Sequence, residues 1–387
     1  MPDTITRRDV MKSAVGFAGV ISAVGLADFV SAATDADSIV PFTDFPGDFT
    51  THPRADMRVL DTRAIQSFIT PSDEFFVVQH YGQPVVDVST FRLQITGLVK
   101  RSQPWTLEDL KKRPRSEFVA GFECSGNGPK RMNGLIGNAR WTGTTLAGLL
   151  KECGLLNEAR EIVFFGADKG EEEVSHGGFT TKVEQRFARS LALEDALKPE
   201  VLVAYEMNGA PLSVGQGAPV RLIVPGWYGV ANIKWLEQIH VQDTRFMGKF
   251  MAREYVTLRG EPSGQGVTWN ETSVGRMLLK SMVTRVNRKG NSCQILGFAL
   301  TDGTPLKAVE VQIDGGPWRT ASLDKGSTPY SWKLFTYTWQ DSQPGEHAIV
   351  SRAIDATGRI QPTEQELESK KTRWENNAQL VRRVRIG

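Results

Sequence analysis

The segment Phe122-Glu123-Cys124-Ser125-Gly126-Asn127-Gly128 puts a thiol at the end of an apolar run, just before a turn rich in Gly and Asn. Strand ends that lead into such loops are where side chains are presented to ligands. Three fates are open to Cys124. A buried structural cysteine would be inert. A nucleophile would need a histidine and an orienting acid or amide; His80, His176 and His240 are present, but no hydrolase spacing selects one of them. A thiolate would suit a soft metal. The two other cysteines, Cys153 and Cys293, are remote in sequence, and three in all are too few and too odd for a disulfide framework. No CxxC or HxxxH spacing points to structural zinc.

The elements that must position these residues fall into two textures. Between Phe75 and Ile239, strand-like runs at 91–95, 162–165, 201–205 and 220–224 mix with helix candidates. One helix opens on Thr106 as a cap, and another carries Leu146, Leu149 and Leu150 at helical spacing. This predicts an α+β domain. After Pro262 the pattern becomes short alternating strands: Val309 to Ile313, then an Asp314-Gly315-Gly316 turn, Tyr330 to Trp339, and His347 to Ile354, closed by Asp355-Ala356-Thr357-Gly358. That regularity predicts a β-sandwich of immunoglobulin type. The stretch from Asp35 to Ser67 reads as an irregular arm with little function, and the charged run Glu364 to Arg373 as a solvated loop or end.

Composition sets the outer bounds. The chain has 387 residues, enough for two or three domains, with 40% apolar and 23% charged residues. That balance fits a globular protein in water and neither a multi-span membrane protein nor a disordered one. The formal net charge of +2 provides no basic field for nucleic acid. The start reads Thr6-Arg7-Arg8-Asp9-Val10-Met11-Lys12, then an apolar run from Ala14 to Ala27, then Ser31-Ala32-Ala33. A charged start, a short apolar stretch and small residues make a cleavable export signal rather than a membrane anchor. Its paired arginines resemble the twin-arginine signal, which carries folded proteins, commonly with a cofactor, to the bacterial periplasm. The expected division is a signal at 1–33, a catalytic domain at 34–262 and a β domain at 263–387.

Longer motifs carry a family resemblance. Glu123-Cys124-Ser125-Gly126-Asn127, followed by Ala139-Arg140-Trp141-Thr142-Gly143-Thr144-Thr145-Leu146, resembles the molybdenum-cofactor domain of the sulfite oxidase family. So does Tyr205-Glu206-Met207-Asn208-Gly209, leading through Gly217-Ala218-Pro219-Val220-Arg221 and Val224-Pro225-Gly226 to Asn232-Ile233-Lys234-Trp235-Leu236. The run Tyr330-Ser331-Trp332-Lys333-Leu334 and the turn Asp355 to Arg359 are similar to that family's immunoglobulin-like dimerisation domain.

The resemblance implies that Cys124 binds molybdenum beside the dithiolene sulfurs of a molybdopterin, a ligand set that a soft metal favours. It places His80, Asp168, Gln216, Arg221, Ile233 and Lys234 around the pterin and its phosphate, with Arg and Lys suited to the phosphate dianion and Asp to the pterin's N–H edge. Taken alone, Arg221 and Lys234 would read as surface salt bridges and His80 as a satisfied structural histidine. Tyr255 matches a tyrosine beside the metal and substrate, and Trp141 a wall of the pocket. The implied activity is two-electron oxidation of sulfite or a related sulfur oxyanion, with electrons passed to a c-type cytochrome. No haem is expected in this chain, because CxxCH is absent. Neither nucleic acid nor a membrane is expected as partner. A homodimer is expected through the domain after Pro262, on the argument that its aromatic strand faces would otherwise be exposed.

Three positions depart from the family pattern. Val78 stands where members acting on sulfite carry arginine, and Gly128-Pro129-Lys130-Arg131 follows Asn127 where many relatives place arginine at once. Gln216 replaces a histidine, as in bacterial haem-free members such as the molybdenum subunit of the thiosulfate-oxidising complex. Lys130, Arg131 or Arg140 would have to restore the missing charge.

Overall fold

The structure is a computed structural model and describes residues 39–45, 56–129 and 133–387. The segment expected to be an export signal, Lys130 and Arg131 lie outside the described residues. Strands dominate, with a few short helices between them.

Two sheets build the first half. In one, the strand order is β2 (Gln103–Trp105), β1 (Leu93–Gly97), β10 (Leu236–Gln242), β5 (Glu161–His176) and β6 (Phe179–Ala192), with β1 and β10 parallel and the other pairs antiparallel. In the other, β3 (Ser116–Glu123), β4 (Ile136–Thr145), β7 (Leu202–Met207) and β8 (Ala210–Pro211) follow one another, and β9 (Arg221–Ile223) also pairs with β7. Both predicted helices form. Thr106 caps α1 (Leu107–Lys111) in a capping box with Asp109, and Thr145 caps α2 (Leu146–Cys153) through the Gly148 amide. The leucines at helical spacing in α2 turn inward with Cys153, all fully buried. The shorter helices are α3 (Leu193–Ala196) and α4 (Lys249–Ala252).

The hairpin of β11 (Val256–Ser263) and β12 (Gly266–Ser273) follows. Pro262 lies inside β11, paired with Val267, so the change of texture read at that residue falls within a hairpin. The sandwich begins at Lys280. One of its sheets orders β13 (Lys280–Lys289), β14 (Ser292–Leu300), β18 (Lys333–Trp339) and β17 (Ser322–Leu323); the other orders β16 (Arg319–Thr320), β15 (Leu306–Ile313), β19 (Gly345–Asp355) and β20 (Val381–Ile386). Val283, Ile295, Val309, Phe335, Ile349 and Val384 fill the space between them. The arm reaches this domain, where Val40 and Phe42 join the same core.

Two expectations change here. The aromatic run of β18 is not an exposed face: Trp332, Leu334 and Phe335 are buried, and the Trp332 indole donates to the Phe68 carbonyl at 2.8 Å. The physical argument for a dimer through that face therefore falls. The run Glu364 to Arg373 is not simply a solvated end. Lys371 donates its amide to the Leu258 carbonyl, and Glu375 donates its amide to the Ser125 carbonyl at 2.7 Å, drawing the chain back over the first half. Among the described residues, no helix is long and apolar enough to cross a membrane.

Candidate active site

Cys124 follows the last residue of β3, with its amide bonded to the Leu135 carbonyl and its carbonyl accepting from the Asn127 amide. A buried network fixes the loop after it. Asn127 Nδ2 donates to Glu123 Oε2 and to the Asn133 carbonyl, and its Oδ1 accepts from the Leu135 amide at 3.0 Å. Glu123 is paired with Lys280 at 2.8 Å, both side chains almost fully buried, and Lys280 also donates to the Asn376 carbonyl. Three segments distant in sequence thus converge behind the thiol.

Cys124 opens onto a cleft lined also by Phe75, Val78, His80, Asp168, Gln216, Arg221, Lys234 and Tyr255. An adjoining outer lobe is bounded by Met57, Gly126, Glu254, Arg373 and Trp374, with Cys124, His80 and Tyr255 shared between the two. A side chain at Gly137 would put its Cβ 2.5 Å from the Phe75 ring, so glycine there lets the ring lie against β4 at the cleft wall. Gly217 adopts φ +97°, and a Cβ on it would stand 2.8 Å from the Lys234 Cβ, so glycine gives Lys234 its place.

Deep in the cleft the two cations bond carbonyl oxygens, and Asp168 is the carboxylate that lines the cleft with them. Arg221 donates to the Gln216 carbonyl and Oε1 and to the Asn232 carbonyl, all near 3.0 Å, while its buried Nε meets no acceptor. Burial alone pulls its pKa down to about 9. Lys234 donates to the Gly215 carbonyl at 3.1 Å; burial, then the neighbouring Arg221 charge, pulls it down to about 7. Burial raises Asp168 to about 6, with Lys234 opposing, and its Oδ1 is left without a donor.

At the Cys124 end, His80 Nε2 and the Tyr255 hydroxyl lie 2.7 Å apart. The His80 ring stacks on Phe187 at 4.5 Å, and Tyr255 lies against Trp374 at 4.4 Å between ring centroids. Burial, then the Cys124 charge, holds the Tyr255 phenol well above its ordinary pKa, so it stays a proton donor at neutral pH.

Not every residue singled out from the sequence meets here. Trp141 does not line the cleft; it is fully buried beneath it, stacked on Phe122 and donating to the Ala120 carbonyl. The pocket-wall reading is corrected, because on β4 this side chain points into the core under Arg221, whose guanidinium lies 5.0 Å from its ring. Ile233, expected beside the pterin, is buried, is not among the residues lining the cleft, and accepts the Leu222 amide with its backbone carbonyl. Arg140 is partly exposed and pairs with Glu117, so it does not supply the missing pocket cation. His240 bonds Thr96 and His176 ends β5, so among the described residues His80 is the histidine that lines the cleft with Cys124. Sequence reasoning missed Trp374 and Arg373; a lone tryptophan in a charged run was the available signal.

The residues fit the group that the motifs imply. Among the described residues no cluster of three or more His, Cys, Asp or Glu side chains could hold a metal. A metal on Cys124 would draw its remaining ligands from a bound molecule rather than from a cluster of these side chains. The unmatched Arg221 Nε, the buried Lys234 ammonium and the orphaned Asp168 Oδ1 provide two cationic positions and one acceptor for a polar, anionic occupant.

This cleft between one mixed and one antiparallel sheet, with one thiol and two buried cations, fits a protein that holds an anionic cofactor, and comparison gives the class. Residues 80–250 match the oxidoreductase molybdopterin binding domain. The chain is 28% identical to sulfite oxidase of Arabidopsis thaliana over 77% of its own length and 83% of that protein. It is 30% identical to mitochondrial sulfite oxidase of Homo sapiens over 77% of this chain, which spans 58% of the human protein. The structure superposes on the sulfane dehydrogenase SoxCD from Paracoccus pantotrophus with a TM-score of 0.74 at 26% identity, covering 89% of this chain and 90% of that one. The chain carries an oxidoreductase molybdopterin binding domain, is similar to sulfite oxidases over most of its length, and is a molybdenum-dependent oxidoreductase.

Proposed function

We propose that this protein oxidises sulfite or a related small sulfur oxyanion in the periplasm and passes the electrons to a c-type cytochrome. The observation that carries the reading is the meeting of the Cys124 thiol, the Tyr255 phenol and His80 at one end of the cleft, with the buried cations Arg221 and Lys234 at the other. Arg221, Lys234, Asp168 and Gln216 would hold the molybdopterin, and Cys124 its metal; when bound, this cofactor supplies two-electron redox chemistry with oxygen-atom transfer. Tyr255 offers a neutral O–H toward the substrate oxygens, and His80 accepts from or donates to that hydroxyl according to its tautomer, fixing where it points. Trp374 and Met57 narrow the outer lobe, and Arg373 supplies a cation at its rim.

Val78 at the cleft wall favours a second reading. An aliphatic side chain there removes a charge from the substrate's surroundings, which suits a less charged substrate, turnover as a reductase, or work as the molybdenum subunit of a sulfur-oxidising complex. Expression in a host that makes molybdenum cofactor, followed by metal analysis and steady-state assays, separates the two. Sulfite turnover with cytochrome c or ferricyanide supports the first reading. Turnover of thiosulfate or a sulfoxide alone, with one molybdenum per chain, moves the assignment to the second.

A further inference from the structure

Arg189 on β6 is fully buried and makes none of the ion pairs formed among the described residues. One Nη donates to the Phe250 carbonyl and the other to the Val274 carbonyl, while Nε meets no acceptor. These two carbonyls flank Tyr255 in the chain. Phe250 belongs to α4, which leads into the tyrosine, and Val274 leaves β12 and returns its own amide to the Tyr255 carbonyl at 2.9 Å. The Phe250 ring itself packs on both His80 and Tyr255. A buried cation bonded only to carbonyls is costly, so a residue that merely filled this space would more readily be apolar.

We propose that Arg189 is a positioning residue that acts through Tyr255, clamping the two segments on either side of it so that the phenol stays against His80 and faces the cleft. This rests on the reading of Tyr255 as a substrate-facing donor. Lysine at 189 keeps the charge but cannot span both carbonyls in a fixed fork. Arg189→Lys is therefore expected to lower kcat/KM for sulfite roughly 10-fold, with molybdenum content and melting temperature near wild type, and to have less than a twofold effect when placed on Tyr255→Phe. In histidine-labelled protein, the His80 ring-nitrogen signals should shift in Arg189→Lys and in Tyr255→Phe, while those of His240 and His347 stay in place.

Unchanged kinetics together with an unmoved His80 signal in Arg189→Lys would overturn the proposal. So would losses that multiply in the double variant. A wild-type holoenzyme without sulfite turnover would sink the substrate reading instead, and the His80 signal would still decide whether Arg189 acts through Tyr255.

Discussion

The Tyr255 hydroxyl sits 2.7 Å from Nε2 of His80, on the wall of the cleft into which Cys124 opens. Neither residue is close to the other in sequence, and no other hydroxyl or imidazole lines the cleft among the described residues. Tyr255→Phe removes the donor and keeps the ring against Trp374. We expect kcat/KM for sulfite to fall roughly 10- to 1000-fold with molybdenum content unchanged. Sulfite oxidation at wild-type rates in this variant would show that the phenol does not face the substrate.

Replacing Cys124 by serine should preserve the fold and abolish turnover, since an alkoxide is a harder ligand than a thiolate. Circular dichroism and metal analysis establish the first half, and a steady-state assay the second. Cys153 and Cys293 lie in apolar surroundings at the end of α2 and in the sandwich core, so alanine at either should cost about 1 kcal/mol of stability and leave turnover intact.

Lys280→Met should cost about 3–5 kcal/mol, because it leaves the buried Glu123 carboxylate without its cation. Asn127 still bonds that carboxylate, so the loop holding Cys124 is expected to loosen before the sandwich does. A denaturant titration gives the stability, and the rate of thiol modification in cofactor-free protein reports the loop.

Cofactor-free protein should show a pH dependence that Lys234→Met removes. With Lys234 drawn down to about 7 in the folded state, the unfolded chain binds more protons between there and the ordinary lysine pKa, so stability rises with pH over that window. Substitution by methionine should stabilise the cofactor-free protein by on the order of 1–4 kcal/mol near pH 7 and weaken retention of an anionic cofactor. Melting temperatures of the two proteins from pH 7 to 10 test this. Parallel curves would mean that Lys234 carries no burial penalty.

Much of this protein was legible from local chemistry. The thiol at the end of β3, the caps Thr106 and Thr145, the inward leucines of α2 and the alternating strands after Lys280 all follow from short-range pattern, because capping and side-chain periodicity act within a few residues. The long motifs around Cys124, Arg221 and Lys234 were likewise enough to place the chain near its family. Tertiary structure alone decided which of those residues share a cleft. Trp141 and Trp374 are both tryptophans in recognisable surroundings, yet β4 turns the first into the core, and the return of the chain past Lys371 brings the second onto Tyr255. The pairing of Glu123 with Lys280, the clamp of Arg189 on Phe250 and Val274, and the burial of the β18 aromatics have the same origin. Each depends on contacts between segments far apart in the chain, whose closure is set by the packing of whole sheets and leaves no mark on the residues beside them.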